Sequence, residues 1–219
     1  PPGEATREFL ASSDPWFRPV QAITAPDGSL WILDMYRRVI EHPRWIPPER
    51  LAELDVRAGE DRGRIWRVVR RGSEHRAPEL DGLHAAELAR ALDTENGMLR
   101  DHVFERLLAE RAPSALPVLH DLCAQSPSQA VRASAFAALD LLAGLTRETV
   151  LAALAEPSAH LRRLAVRAAG RHYSADAEIV ARMLALATDA DASVRMELAS
   201  TLGRVDGSGA GLALASILL

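Results

Sequence analysis

Four arginines set the strongest constraint on this 219-residue chain: Arg100, Arg132, Arg162 and Arg195 recur at steps of 32, 30 and 33 residues. Each follows a residue in the series Leu99, Val131, Leu161 and Val194, comes just after a turn rich in Pro, Asp, Asn or Ser, and opens a helical pattern rich in alanine. A period of this length marks a supersecondary unit repeated along the chain. One helix pair cannot bury both its apolar faces, so such units stack, and small residues where helices cross let the backbones approach.

The surrounding pattern gives eight helices from about residue 84 onward: His84 to Leu92, Met98 to Glu110, Ser114 to Ala124, Gln129 to Leu142, Arg147 to Ala155, His160 to Arg171, Ala177 to Ala187 and Ser193 to Arg204. They make four pairs. Breakers separate them at Asn96-Gly97, Pro113, Ser126-Pro127-Ser128, Pro157-Ser158 and Asp189-Ala190-Asp191. Gly207 to Gly211 reads as a loop, and Leu212 to Leu219 as the start of a further, truncated unit.

The first seventy residues differ. Eight of the thirteen prolines precede residue 50, and all four tryptophans (Trp16, Trp31, Trp45, Trp66) lie here, which favours loops and strands over helices. Val20 to Thr24, the tetrapeptide Pro26-Asp27-Gly28-Ser29 and Leu30 to Tyr36 read as a β-hairpin, with Asp-Gly supplying a positive φ; Arg64 to Arg70 follows Gly63 as a third strand. Residues 37–62 form a long excursion with a short helix at Pro48 to Leu54, and long ordered insertions often carry function. The expected fold is mainly α: helix pairs over residues 83–219, a linker over 73–82 and a small antiparallel sheet over 1–72.

Net charge is −4 at pH 7, so no overall basic field draws the chain to nucleic acid or anionic lipid. Cys123 is the only cysteine, lies in an apolar pattern and reads as a buried structural thiol. The opening Pro1-Pro2-Gly3 and the apolar end Ile217-Leu218-Leu219 read as those of a piece cut from a longer protein.

The helical repeat, with its turn, apolar-Arg pair and alanine-rich second helix, resembles the HEAT repeat, and implies an α-solenoid used for protein or domain interaction. Arg100, Arg132, Arg162 and Arg195 are then its repeat-defining residues, paired with acidic turn residues such as Glu156, Asp189 and Asp191 of adjacent units. The segments Asp14 to Val20, Pro26 to Asp34 and Gly63 to Val68 resemble the last blade of the six-bladed propeller of quinoprotein glucose and sorbosone dehydrogenases. Together with Asp34 to Pro43 and Arg57 to Ile65, followed by HEAT helices, the order of parts is similar to the large membrane-bound dehydrogenase-type proteins of planctomycetes.

That resemblance implies a parent that uses the quinone PQQ with calcium and a c-type haem in the periplasm, while this segment contributes the last blade and a scaffold, without catalytic residues, metal or cofactor of its own. It places Arg18 toward the cofactor's carboxylates; the alternative for Arg18 is a salt bridge to Asp14 or Asp34. Glu41, His42 and Trp45 are candidates for a cavity rim, since histidine titrates near neutral pH. The expected partners are a protein or neighbouring domains of the same chain, with no nucleic acid and no membrane contact. An autonomous HEAT-type binding module without a redox role is the alternative.

Overall fold

The computed structural model describes residues 8–205 and 208–218. Pro1-Pro2-Gly3, Gly207 and Leu219 therefore lie outside the described residues. The chain is mainly helical with one small three-stranded antiparallel sheet, and divides into two compact units, residues 1–78 and 79–219.

In the first unit the strands β1 (Pro19–Thr24), β2 (Leu30–Asp34) and β3 (Arg64–Val68) pair in the order β1-β2-β3. The β1–β2 turn closes through Ala25 N–H to Ser29 O (2.8 Å) and Gly28 N–H to Ala25 O (2.9 Å), and Gly28 takes φ +77° as the turn requires. Asp27 fixes the turn by accepting from the Ser29 N–H (2.9 Å) and from its hydroxyl (2.6 Å). Strands β2 and β3 are shorter than the apolar pattern suggests: β2 ends at Asp34, just before Tyr36 adopts φ +49°, and β3 ends at Val68. The excursion holds a 3-10 turn at Pro43–Trp45 and the single-turn helix α1 (Pro48–Leu51), shorter than the 48–54 span expected. Among the described residues of this unit only Ala25 and Ile32 are buried apolar side chains.

The second unit comprises α2 (Ala85–Arg90), α3 (Gly97–Glu110), α4 (Leu116–Gln125), α5 (Gln129–Leu141), α6 (Arg147–Leu154), α7 (Ala159–His172), α8 (Ala177–Ala185), α9 (Ala192–Thr201) and α10 (Ser208–Leu218). The helix starts follow from their caps. Asn96, Ser128, Thr146, Asp176 and Asp191 each accept a backbone N–H from the first turn, satisfying donors that the helix itself leaves open. Sequential helices pair as α2 with α3, α4 with α5 and α6 with α7, and the second members pack in succession, α3 on α5, α5 on α7 and α7 on α9. The core runs continuously through these pairs, with Leu88, Leu107, Leu119, Phe136, Leu139, Leu161, Met183 and Leu198 among its fully buried side chains. Burial of each such side chain is worth about 1.5–3 kcal/mol.

A small residue permits close approach where α7 meets α9. A Cβ placed on Gly170 of α7 would lie 2.1 Å from Thr201 Cγ2 of α9, so only glycine permits this approach. The loop expected over 207–211 is corrected in its described part: Ser208 to Gly211 is helical and opens α10. Gly209, read as part of a breaker, packs closely instead, since a Cβ there would press on Leu184 Cδ1 of α8 at 2.9 Å.

Candidate functional site

The excursion after β2 folds into a cavity of about 420 Å3. The two ends of the excursion are tied by Arg38 N–H to Ala58 O (3.3 Å) and by the Arg37 guanidinium to Arg57 O (3.1 Å). Pro43 and the Pro47-Pro48 pair then fix the φ angles of two short turns, so that the chain doubles back over itself. Arg38, Ile40, Glu41, Trp45, Arg50 and Leu54 are among the residues that line it. Trp45 is 73% exposed and Ile40 59%, leaving their apolar surfaces open to a ligand, and Arg44 lies 5.7 Å from the Trp45 ring centroid. Glu41 and Trp45 thus share one cavity. His42 does not line it: its Nδ1 accepts from the Arg44 N–H (3.2 Å) and caps the 3-10 turn. Arg38 and Arg50, which the sequence pattern did not single out, are the cavity's two cations.

Arg18 stands at the entry to β1. Its guanidinium Nη1 donates to the carbonyls of Pro15 (2.6 Å) and Phe17 (2.9 Å), so the expected salt bridge to Asp14 or Asp34 is replaced by bonds to its own loop. Arg64 takes that place, at 3.2 Å from Asp34 Oδ2 and 3.9 Å from Asp14 Oδ2, because β3 lies beside β2 and brings Arg64 opposite Asp34. Arg18 Nη1 is thus committed to backbone carbonyls of its own loop.

Asp34 is the polar centre of the sheet. Its fully buried carboxylate accepts from the N–H groups of Arg18 (2.8 Å) and Tyr36 (2.9 Å), from Arg64 Nε (3.2 Å) and from Trp66 Nε1 (3.1 Å). Burial pushes its pKa up, but the bonds from Arg18, Trp66 and Tyr36 and the Arg64 charge outweigh that and hold it below the ordinary aspartate value. The Arg64 guanidinium also stacks 3.8 Å from the Tyr36 ring centroid. At the other end of the sheet Asp27 pairs with Arg67 of β3. The Ser29 hydroxyl and N–H, aided by Arg67, lower its pKa to about 2.

In the helical unit the four periodic arginines make one contact in common. Arg100, Arg132, Arg162 and Arg195 each donate through Nη1 to the carbonyl six residues earlier, Thr94, Ser126, Glu156 and Asp189, at 2.9, 2.8, 2.7 and 2.5 Å. Those carbonyls lie in the turn that leads into each arginine's own helix, where they have no partner within a helix. Two of the arginines reach onward to the side chain at the matching position of the next pair. Arg132 Nη2 lies 3.3 Å from Glu156 Oε2, and Arg162 grips Asp189 with two bonds of 2.7 and 2.8 Å. The first junction lacks a carboxylate at this position; there Ser126 donates its hydroxyl to Asp93 (3.3 Å).

A second set of pairs joins the same helices farther along. Asp140 of α5 meets Arg171 and His172 of α7, and Glu197 of α9 takes a bidentate Arg167 of α7 at 2.9 and 2.6 Å. Arg147 likewise pairs with Asp176 and Glu178 across α6 and α8.

Two hollows stand out among the described residues of this unit. A shallow groove of about 370 Å3 runs across α3, α5 and α7 past Arg100, Phe104, Ser134, His160 and Leu164. A smaller cavity of about 170 Å3 lies against His120, Cys123 and Glu156. Burial, reinforced by Glu156, pushes the Cys123 thiol up to about 11, so at neutral pH it is a packed thiol rather than a nucleophile. Among the described residues no three His, Cys, Asp or Glu side chains are grouped to hold a metal ion, and no helix is long and apolar enough to cross a membrane.

Residues 2–72 match a family model described as a domain of unknown function, DUF7133. No curated protein and no solved structure matches the chain. The matched segment falls wholly within the first compact unit, so the sheet, its Asp34 centre and the excursion cavity together are the part of this chain that is similar to that family.

Proposed function

We propose that the helical unit is a HEAT-type α-solenoid that acts as a scaffold for a protein or a neighbouring domain, and that the sheet unit is the closing blade of a propeller in a dehydrogenase-like parent. The observation that carries the scaffold reading is the fourfold arginine contact to the carbonyl six residues back, with the onward bond to the next pair at Glu156 and Asp189. It supports helix pairs joined by one repeated piece of chemistry, the property that lets a solenoid present an extended face. The blade reading is supported by a three-stranded sheet that buries little apolar surface and leaves Val20, Ile65 and Trp66 of its outer strands exposed, which is an unfavourable end state for a free sheet.

On this reading catalysis belongs to other parts of the parent, which bring the PQQ, calcium and c-type haem, and the setting is periplasmic. The test is the complete gene. Upstream blades with a cavity histidine, together with a downstream Cys-x-x-Cys-His haem motif, are the expected result. A reading frame that starts beside Pro1 and carries no haem motif overturns the dehydrogenase part. It would leave the second reading, an autonomous binding module, which is favoured by the groove across α3, α5 and α7.

A further inference from the structure

The excursion cavity combines three properties that are separate elsewhere in the sheet unit. Its volume of about 420 Å3 falls in the range of small-molecule pockets. Its walls mix polar surface with the apolar side chains of Ile40, Ile46 and Leu54 and an open indole at Trp45. Its two cations are uncommitted: neither Arg38 nor Arg50 forms a side-chain hydrogen bond or ion pair among the described residues, and while Arg70, Arg71 and Arg76 share that freedom, Arg38 and Arg50 are the ones that line this cavity. Arg44 adds a third positive charge over the indole, against the single carboxylate of Glu41.

A guanidinium that holds no structural partner has lost no binding capacity to the fold, and its fork matches a carboxylate through two parallel bonds. We propose that this cavity is a binding site for a small organic carboxylate, its charged end held by Arg38 and Arg50 and its apolar body lying against Trp45, Ile40 and Leu54. Glu41 serves as an acceptor for a hydroxyl or amide on the same ligand, and its charge repels a carboxylate brought beside it, which directs the anionic end to the arginines. This assignment is independent of the scaffold and propeller readings, because it rests on residues of the excursion alone.

Phthalate, an aromatic dicarboxylate, is the probe. It is titrated into the 219-residue chain while the indole N–H resonance of Trp45, identified by its loss in Trp45→Phe, is followed by NMR. A saturable shift is expected, weakened by about tenfold or more in the Arg38→Gln/Arg50→Gln double variant and unchanged in an Arg70→Gln/Arg71→Gln control. Benzamide, neutral and of similar shape, should bind about tenfold more weakly than phthalate. The remaining resonances of the double variant report whether the fold is intact, and the Trp45→Phe variant followed through the Ile40 methyl resonances gives a second readout. Absence of a saturable shift, equal binding by the double variant, or equal binding of benzamide overturns the proposal.

Discussion

The sheet unit and the helical unit reach a defined structure by opposite means. In the sheet, two buried apolar side chains accompany a buried carboxylate that receives four hydrogen bonds. In the helical unit the apolar core is continuous from Leu80 to Ala213, and the charges lie at its margins, where they join one helix pair to the next. A small sheet cannot hide much hydrocarbon, so its geometry is specified by directional bonds to Asp34 and Asp27. A row of helix pairs can hide a great deal, so its arginines are free to set spacing and order. All four tryptophans lie in the sheet unit and most backbone helix in the other, so indole fluorescence and far-ultraviolet ellipticity follow the two separately.

The largest expected effect is on the helical unit. Phe136→Ala, at a fully buried position, should cost about 3–5 kcal/mol, read as a lowered denaturant midpoint in ellipticity with the indole signal unmoved. A shared loss in both signals would break the distinction between the units. Next, Asp34→Ala should cost the sheet unit about 3 kcal/mol, because Arg64, Trp66 and two backbone donors lose their acceptor; here the fluorescence midpoint moves and the ellipticity midpoint stays. An unchanged fluorescence midpoint would show that the sheet does not depend on its polar centre.

The Arg162 to Asp189 grip sharpens the comparison at intermediate size. Its side chains are 16% and 5% exposed, and a double-mutant cycle with Arg162→Ala and Asp189→Ala should return a coupling of about 1–2 kcal/mol. Arg132→Glu should lower the melting temperature more than Arg132→Ala, since it sets a second carboxylate beside Glu156. A coupling near zero would reduce these joints to surface pairs.

Acid gives the smallest and most gradual effect. Asp27 and Asp34 are both held below their ordinary values, so the unfolded sheet binds more protons and stability present above about pH 4 is lost as pH falls; for Asp27 the loss extends from 3.8 to about 2. Fluorescence should report this decline in the wild-type chain and less of it in Asp27→Asn. Equal acid sensitivity in both would assign the loss to other carboxylates.

The helices are legible because each turn names its own cap: Asn96, Ser128 and Asp191 sit where a breaker and an N-terminal acceptor are both required. The start of α10 is not, because glycine as a breaker and glycine as a close-packing residue look identical in a string; only the presence of Leu184 separates them. In the sheet, Asp34 is visible as a charge for Arg18, yet it is Arg64, thirty residues on, that arrives beside it. That choice depends on strand pairing rather than on local pattern. The excursion shows Glu41 and Trp45 by their chemistry and hides Arg38 and Arg50, since an arginine's lack of a partner is a property of three-dimensional surroundings. His42 looks reactive as a residue type and proves to be a cap for the same reason.

The arginine joints also have a direction. Each one takes a carbonyl from its own turn, and Arg132 through Nη2 and Arg162 through Nε and Nη2 reach the turn that follows, at Glu156 and Asp189. A segment cut from one such turn to the next therefore carries a socket at its front and a plug at its back, like a dovetailed board. Copying or deleting the stretch from Glu156 to Thr188 leaves every plug facing a carboxylate socket, whereas a cut through the middle of a helix leaves a mismatch on both sides. Gene duplication in whole units would thus preserve these arginine joints, while the pairs of Arg147 with Asp176 and Glu178 and of Arg167 with Glu197 would need separate replacement.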